Sequence, residues 1–120
     1  MKNNSFTVAV LGAGNIGSAV IERLLNVDNG VINLNLSKVL VSDLSKDRNL
    51  DSGLLTTDFN EILNDEKIDL VIEVLGGVDP GKDYIKALLE NGKSVITANK
   101  DIIADCGSEL IQTAQENNVC

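Results

Sequence analysis

The sequence predicts an α/β domain built on a doubly wound parallel sheet, and three observations predict it. Short apolar runs and helix-patterned stretches alternate along the whole chain, the order that gives a parallel sheet with helices packed on it. One run, Ile68–Leu75, is almost continuously apolar, as strands buried on both faces are. The first run ends in glycines spaced Gly12-x-Gly14-x-x-Gly17, and helix-patterned sequence follows at once. Strand, glycine turn and helix in that order form a nucleotide-binding βαβ unit.

Each element has its own signal. Phe6–Leu11 is the first strand. Asn15–Val27 is predicted helical because Ile16, Ala19, Val20, Leu24 and Val27 recur at helical spacing, and Asp28-Asn29-Gly30 supplies the turn residues that stop it. Val31–Leu36 alternates apolar residues with asparagine and is expected to be a loop or irregular extension. Lys38–Ser42 is the second strand, Leu44–Ser52 a polar loop and Leu54–Thr56 a short third strand. Thr57 or Asp58 is placed to cap a short helix over Phe59–Asn64. Ile68–Leu75 is the fourth strand, ended by Gly76-Gly77. Asp79-Pro80 has the pattern of an N-cap followed by proline at the first helical position, opening a helix that runs to Gly92. Ser94–Ala98 is the fifth strand. Lys100–Ala104 is expected to be helical, separated by Gly107-Ser108 from a last helix over Glu109–Asn117, and Val119-Cys120 has the pattern of a further strand beginning.

Composition narrows the function classes. With 120 residues the chain is expected to form one domain with a real core. No apolar run approaches the roughly 20 residues of a membrane span, and Met-Lys-Asn-Asn-Ser lacks the apolar segment of a signal peptide. No membrane partner is expected. A net charge of -8 and 2% aromatic residues argue against nucleic acid, which needs cations for its phosphates and rings for its bases. Cys106 and Cys120 stand far apart without metal-ligand spacing, so no metal site is expected and a reduced, cytoplasmic setting fits best. The chain has no histidine. A Ser-His-Asp triad and a His-ligated zinc therefore cannot arise within it. Acid–base chemistry falls to Lys, Asp, Glu, Tyr or Cys, or to residues from elsewhere.

Doubly wound sheets bind ligands beyond the carboxyl ends of their strands, which singles out four places. At the first, Gly12 permits the tight turn, Gly14 lets a pyrophosphate approach the backbone, and Gly17 lets the helix pack close to the strand. Free N–H groups at the helix start would face the phosphates. Ala13, Asn15 and Ile16 would lie against the pyrophosphate or the nicotinamide-side ribose. At the second, Ser42-Asp43, the acid can bind both hydroxyls of the adenosine ribose and repel a 2′-phosphate, or it can merely cap a turn. Lys46 and Arg48 lie close enough in sequence to reach a phosphate, so cofactor choice stays open. At the third, Leu75-Gly76-Gly77, two glycines let backbone lie flat against a ligand, or simply turn the chain. Glu73 stands out in this apolar strand, either as a paired buried carboxylate or as a group aimed at the cleft. At the fourth, Thr97-Ala98-Asn99-Lys100, an amine beside a nicotinamide can exchange a proton with a substrate oxygen, desolvation tuning it for the task. A solvated lysine at a helix start is the ordinary alternative, although a cation there opposes the helix dipole.

Together these pieces match a family. The chain resembles the N-terminal, nucleotide-binding part of homoserine dehydrogenase in Val10–Gly17, Lys38–Leu44, Ile72-Glu73-Val74-Leu75-Gly76-Gly77 and Val95-Ile96-Thr97-Ala98-Asn99-Lys100, with Ala104 and Gly107–Leu110 continuing the pattern. The resemblance covers nearly the whole chain, and its last two motifs are more specific than the glycine fingerprint. It implies a Rossmann-type fold and NAD(P)-dependent interconversion of L-homoserine and L-aspartate 4-semialdehyde, a step of threonine and methionine biosynthesis. It implies that Lys100 lies at the active site and takes part in catalysis, with Thr97 beside the cofactor. Many members carry arginine where this chain has Ser42, and serine before Asp43 tilts the choice from NADP toward NAD. The family continues into dimerisation and substrate-binding regions, with further catalytic residues and a metal-ion site. The chain is thus expected to be a cofactor domain, inactive by itself, from a homodimeric enzyme acting on a small amino-acid substrate. The rival readings are the cofactor domain of another dehydrogenase, such as an aspartate dehydrogenase, and a non-catalytic nucleotide-sensing domain.

Overall fold

In the computed structural model, residues 5–12, 33–42, 52–75, 77–97 and 99–119 are described. Strand β1, Ser5–Leu11, is the middle of the sheet. Val8 and Val10 pack on one face, Ala9 and Leu11 on the other, and all four are wholly buried. Burial on both faces is why Val8–Leu11 is continuously apolar rather than alternating. The remaining strands are β2 (Asn33–Leu40), β3 (Leu55–Thr56), β4 (Leu70–Glu73) and β5 (Ser94–Thr97). Every neighbouring pair is parallel and the order is β3-β2-β1-β4-β5. The chain thus steps outward from β1 to β3, then returns to lay β4 on the other side of β1. That reversal puts the switch point between β1 and β4.

Strand β2 corrects the expected loop. Asn33–Leu36 pairs residue for residue with Ser5–Val8, because strand-like alternation and a ladder partner outweigh the poor strand propensity of asparagine. The register then shifts: Val8 faces Leu36 but Ala9 faces Lys38, leaving Ser37 as an extra residue. This bulge reverses the phase of the strand. It lets Leu36, at an even position, share a core cluster with Val39 and Val41 at odd ones. The regular strand ends at Leu40, not Ser42, although the Val41 N–H still donates to the Thr56 carbonyl at 2.8 Å.

The helices are α1 (Phe59–Leu63), α2 (Gly81–Glu90) and α3 (Lys100–Glu116), and a 3-10 turn covers Ser52–Leu54. Of the two candidate caps for α1, Asp58 serves: its Oδ1 accepts from the Asn60 N–H at 2.9 Å. Helices α1 and α2 place Ile62 and Leu88 on Ala9, Leu11, Leu40 and Val71. Phe59 and Tyr84 stack across the join, with ring centroids 3.9 Å apart. Helix α3 packs Ile102, Leu110 and Ala114 against Ile85 and Leu89 of α2.

The start of α2 departs from expectation. Pro80 is its N-cap and no side chain caps it, so Asp79 does not play that part. The preceding turn does the work instead, with the Lys82 and Tyr84 N–H groups donating to the Val78 and Pro80 carbonyls. At the opposite end of the sheet from the strand carboxyl ends, Lys93 is buried and donates to the carbonyls of Asp65 and Ile68 at 2.6 and 3.2 Å. It pins the turn into β5 to the start of β4.

Two further expectations fail at the end of the chain. Gly107-Ser108 does not divide α3, which is one helix of 17 residues. Burial of Ile102 on one side of the glycine and Leu110 on the other, against the same helix, outweighs its propensity cost of about 1 kcal/mol. Val119 does not begin a strand. Asn118, at φ 57°, ends the helix, and the Val119 N–H returns to the Ala114 carbonyl at 3.0 Å while its side chain joins the α2–α3 core. That is the left-handed close of a Schellman motif, with its usual apolar contact. Cys120 and the helix expected over Asn15–Val27 lie outside the described residues. Among the described residues, no helix is long and apolar enough to cross a membrane.

An unbroken α3 gives a clear expectation for Gly107→Ala. A Cβ there would sit 3.4 Å from Ile103 Cγ2, an ordinary contact. The substitution should therefore stabilise the protein by up to about 1 kcal/mol, the helix-propensity difference. Thermal unfolding checks this, and a lower Tm would mean that the helix needs glycine at that position.

Candidate functional site

The strand carboxyl ends gather most of the polar residues marked by the sequence. Gly12, Ser42, Leu75, Gly77, Thr97, Asn99 and Lys100 are described there, whereas Ala13, Gly14, Asn15, Ile16, Gly17, Asp43, Gly76 and Ala98 lie outside the described residues.

Gly12 has φ 105°, and a Cβ on it would stand 3.2 Å from both the Val74 carbonyl oxygen and Leu75 Cδ2. Its N–H donates to Leu40 O at 2.9 Å, and the Val74 N–H donates to Leu11 O at 3.0 Å. The glycine is therefore wedged between the ends of β2 and β4, where the strand order reverses. Both its backbone conformation and its neighbours would strain any side chain placed there. This suits a phosphate-binding turn, in which main chain must leave the strand sharply beneath the ligand. Ser42 follows β2 and is exposed.

Glu73 ends β4 and is wholly buried. It is a paired carboxylate, as one of the two sequence readings allowed, but its partners among the described residues are neutral donors rather than a cation. The Thr97 hydroxyl donates to Oε1, the Leu75 N–H donates to Oε2 at 2.8 Å, and Asn99 Nδ2 approaches Oε2 at 3.4 Å. Thr97 Oγ1 also accepts from the Asn99 N–H at 3.0 Å, so this hydroxyl links Glu73 to the backbone just before Lys100. The N-termini of α2 and α3 both abut it, and helix N-termini favour negative charge. At Gly81, the first residue of α2, a Cβ would lie 2.9 Å from Ile102 Cδ1 and 3.3 Å from Glu73 Oε2. Helix and carboxylate approach closely there, so an added side chain would make Ile102 or Glu73 shift, and no sequence signal set Gly81 apart from any glycine at a helix start.

Asn99 ties the rest together. It is buried, and its Oδ1 caps α3 by accepting from the Asp101 and Ile102 N–H groups at 3.0 and 3.2 Å. Its Nδ2 donates to the Leu75 and Gly77 carbonyls at 3.0 and 2.6 Å. The side chains of Thr97 and Asn99 are therefore engaged in holding the strand ends together. Lys100, next in sequence, is exposed at the first position of α3 and joins none of the ion pairs found among the described residues. The described part of the domain does not supply the desolvation that the sequence reading invoked for this amine.

A doubly wound parallel sheet with an obligatory glycine at its switch point, flanked by polar strand ends, defines a dinucleotide-binding domain of the Rossmann type. Comparison with known proteins narrows the class. Residues 12–120 match the family model for the NAD-binding domain of homoserine dehydrogenase, and the chain belongs to that family. It is 39% identical over 117 residues to homoserine dehydrogenases of Bacillus subtilis and Mycobacterium tuberculosis H37Rv, covering 92% and 93% of this chain but 27% and 26% of theirs. The chain thus spans about a quarter of the length of these relatives. The crystal structure of Staphylococcus aureus homoserine dehydrogenase at pH 7.0 superposes with a TM-score of 0.87 at 38% identity, over 98% of this chain and 32% of that one.

The Asn99 geometry predicts that Asn99→Asp and Asn99→Ala are both destabilising. Alanine removes the cap and orphans buried groups, each effect being about 1–2 kcal/mol. Aspartate keeps the capping oxygen but loses the Nδ2 donors and sets a second carboxylate against Glu73. Denaturant unfolding should place both variants at least about 1.5 kcal/mol below the parent. An Asn99→Asp protein of parental stability would show that capping is the only contribution of this residue.

Proposed function

We propose that this chain is the cofactor-holding part of a homoserine dehydrogenase, serving NAD(P)-dependent interconversion of L-homoserine and L-aspartate 4-semialdehyde. The observation that carries this reading is the division of labour in Thr97-Ala98-Asn99-Lys100. Two of its side chains are spent on fixing the strand ends, while Lys100 is exposed at the first position of α3. A cation in the first turn of a helix opposes the dipole, so this position costs stability and suits a functional lysine better than a structural one. A sensing domain would have no need of that amine.

On this reading Gly12, Ala13, Gly14, Asn15, Ile16 and Gly17 hold the pyrophosphate, and Ser42 and Asp43 the adenosine ribose. Leu75, Gly76, Gly77, Thr97, Ala98 and Asn99 form the wall on the nicotinamide side. The bound dinucleotide supplies the hydride acceptor or donor. Lys100 gives or takes the proton at the substrate oxygen. Substrate contacts and dimer formation belong to further sequence, as in relatives about four times longer, and the chain alone binds dinucleotide without turnover.

Three outcomes are expected. Calorimetric titration of the chain should give tighter binding of NAD than of NADP, because the carboxylate of Asp43 repels a 2′-phosphate, and the reverse order would count against Ser42-Asp43 as the selector. Homoserine and NAD added to the chain alone should produce no rise in NADH absorbance. In the enzyme that carries this domain, Lys100→Ala should lower kcat by about a hundredfold or more, within the range for loss of an acid–base group, with dinucleotide affinity kept. An unchanged rate would remove Lys100 from the mechanism and favour a non-catalytic domain.

A further inference from the structure

We propose that Glu73 is a positioning residue for Lys100, acting through Thr97 and Asn99, and that it makes the cofactor wall and the amine one rigid unit. The proposal rests on the assignment of Lys100 given above. Four observations carry it. Glu73 is the one wholly buried ionisable side chain among the described residues. Its oxygens take donors from three separate segments: the turn after β4, the end of β5 and the cap of α3. The cap residue that it touches, Asn99, also holds the carbonyls of Leu75 and Gly77 and the first N–H groups of α3, and so sets where Lys100 begins. Gly81, the first residue of α2, lies against Glu73 Oε2, with 3.3 Å from its would-be Cβ to that oxygen, so the start of α2 abuts the same group.

A buried carboxylate must keep its donors, since leaving it unpaired is costly. That demand runs in both directions. The carboxylate fixes the Thr97 hydroxyl, and Thr97 Oγ1 fixes the Asn99 backbone N–H directly before Lys100. Oε2 faces a backbone N–H, which can only donate, and Oε1 faces the Thr97 hydroxyl, which also accepts from Asn99. An amide in place of the carboxylate preserves the size but, with its oxygen kept on the Leu75 N–H, turns its own N–H toward Thr97 Oγ1, and the hydroxyl proton loses its acceptor on residue 73. Glu73→Gln therefore disturbs the orientation of the Lys100 segment without opening a cavity.

A double-mutant cycle in the enzyme that carries this domain tests the proposal, together with amide hydrogen exchange measured without dinucleotide. Glu73→Gln is expected to lower kcat at least tenfold, with KM for homoserine changed less than threefold. Combined with Lys100→Ala it should lower the rate no further than Lys100→Ala alone, because a positioning residue has nothing left to position. Exchange in segments 73–78 and 99–104 should quicken at least tenfold, while Ile85–Leu89 of α2 keeps its protection. Thr97→Val, which removes the relay hydroxyl but keeps the bulk, should give the same pattern and serves if Glu73→Gln does not fold. Rate losses that multiply in the double variant would overturn the proposal, as would a parental kcat in Glu73→Gln or a uniform gain in exchange across α2. A parental rate in Lys100→Ala would instead overturn the functional reading, so the two failures are distinguishable.

Discussion

The cleft end of this domain depends on one buried carboxylate and the donors that it must keep. Glu73 lies where β4 ends, wholly shielded from water. A carboxyl group in that place is tolerated only when hydrogen bonds replace its hydration. Those bonds come from the Leu75 backbone, the Thr97 hydroxyl and the Asn99 amide, and two helix N-termini close around them. The requirement of one side chain thereby fixes the ends of two strands and the starts of two helices relative to each other.

The opposite end of the same strands is pinned by the same physics with the sign reversed. The buried Lys93 amine spends its protons on the carbonyls of Asp65 and Ile68. Between these two polar anchors lie Val71 and its apolar neighbours, which supply burial but little directional information. Hydrophobic contact brings β4, β5 and α2 together, and the two satisfied polar groups fix how far each element slides along the others. Such a frame can hold the exposed Lys100 at a constant place past the end of β5 without burying it.

Much of this was legible in the sequence. The cores of the described strands and helices fall where an apolar run or a helical period stands, and the glycine spacing alone marks Gly12. Glu73 was conspicuous as a charge in an apolar strand. Where local patterns failed, a partner distant in sequence was responsible. Asn33–Leu36 has the composition of a loop yet is strand, because β1 offers it a ladder. Gly107-Ser108 has the composition of a break yet lies inside a helix, because α2 holds both halves on one surface. Val119 has the composition of a strand start, but closing the helix end buries it sooner.

The sequence by itself determined the kind of each main element, the doubly wound class and the glycine at the end of β1. These follow from periodicity and backbone conformation, which are properties of neighbouring residues. Only the tertiary structure decided which donors satisfy Glu73, how closely Gly81 approaches it, and that Thr97 and Asn99 brace the strand ends while Lys100 is exposed. Those facts depend on atoms brought together from segments up to 26 residues apart. The distances between such atoms are set by packing, on which local sequence pattern carries no information.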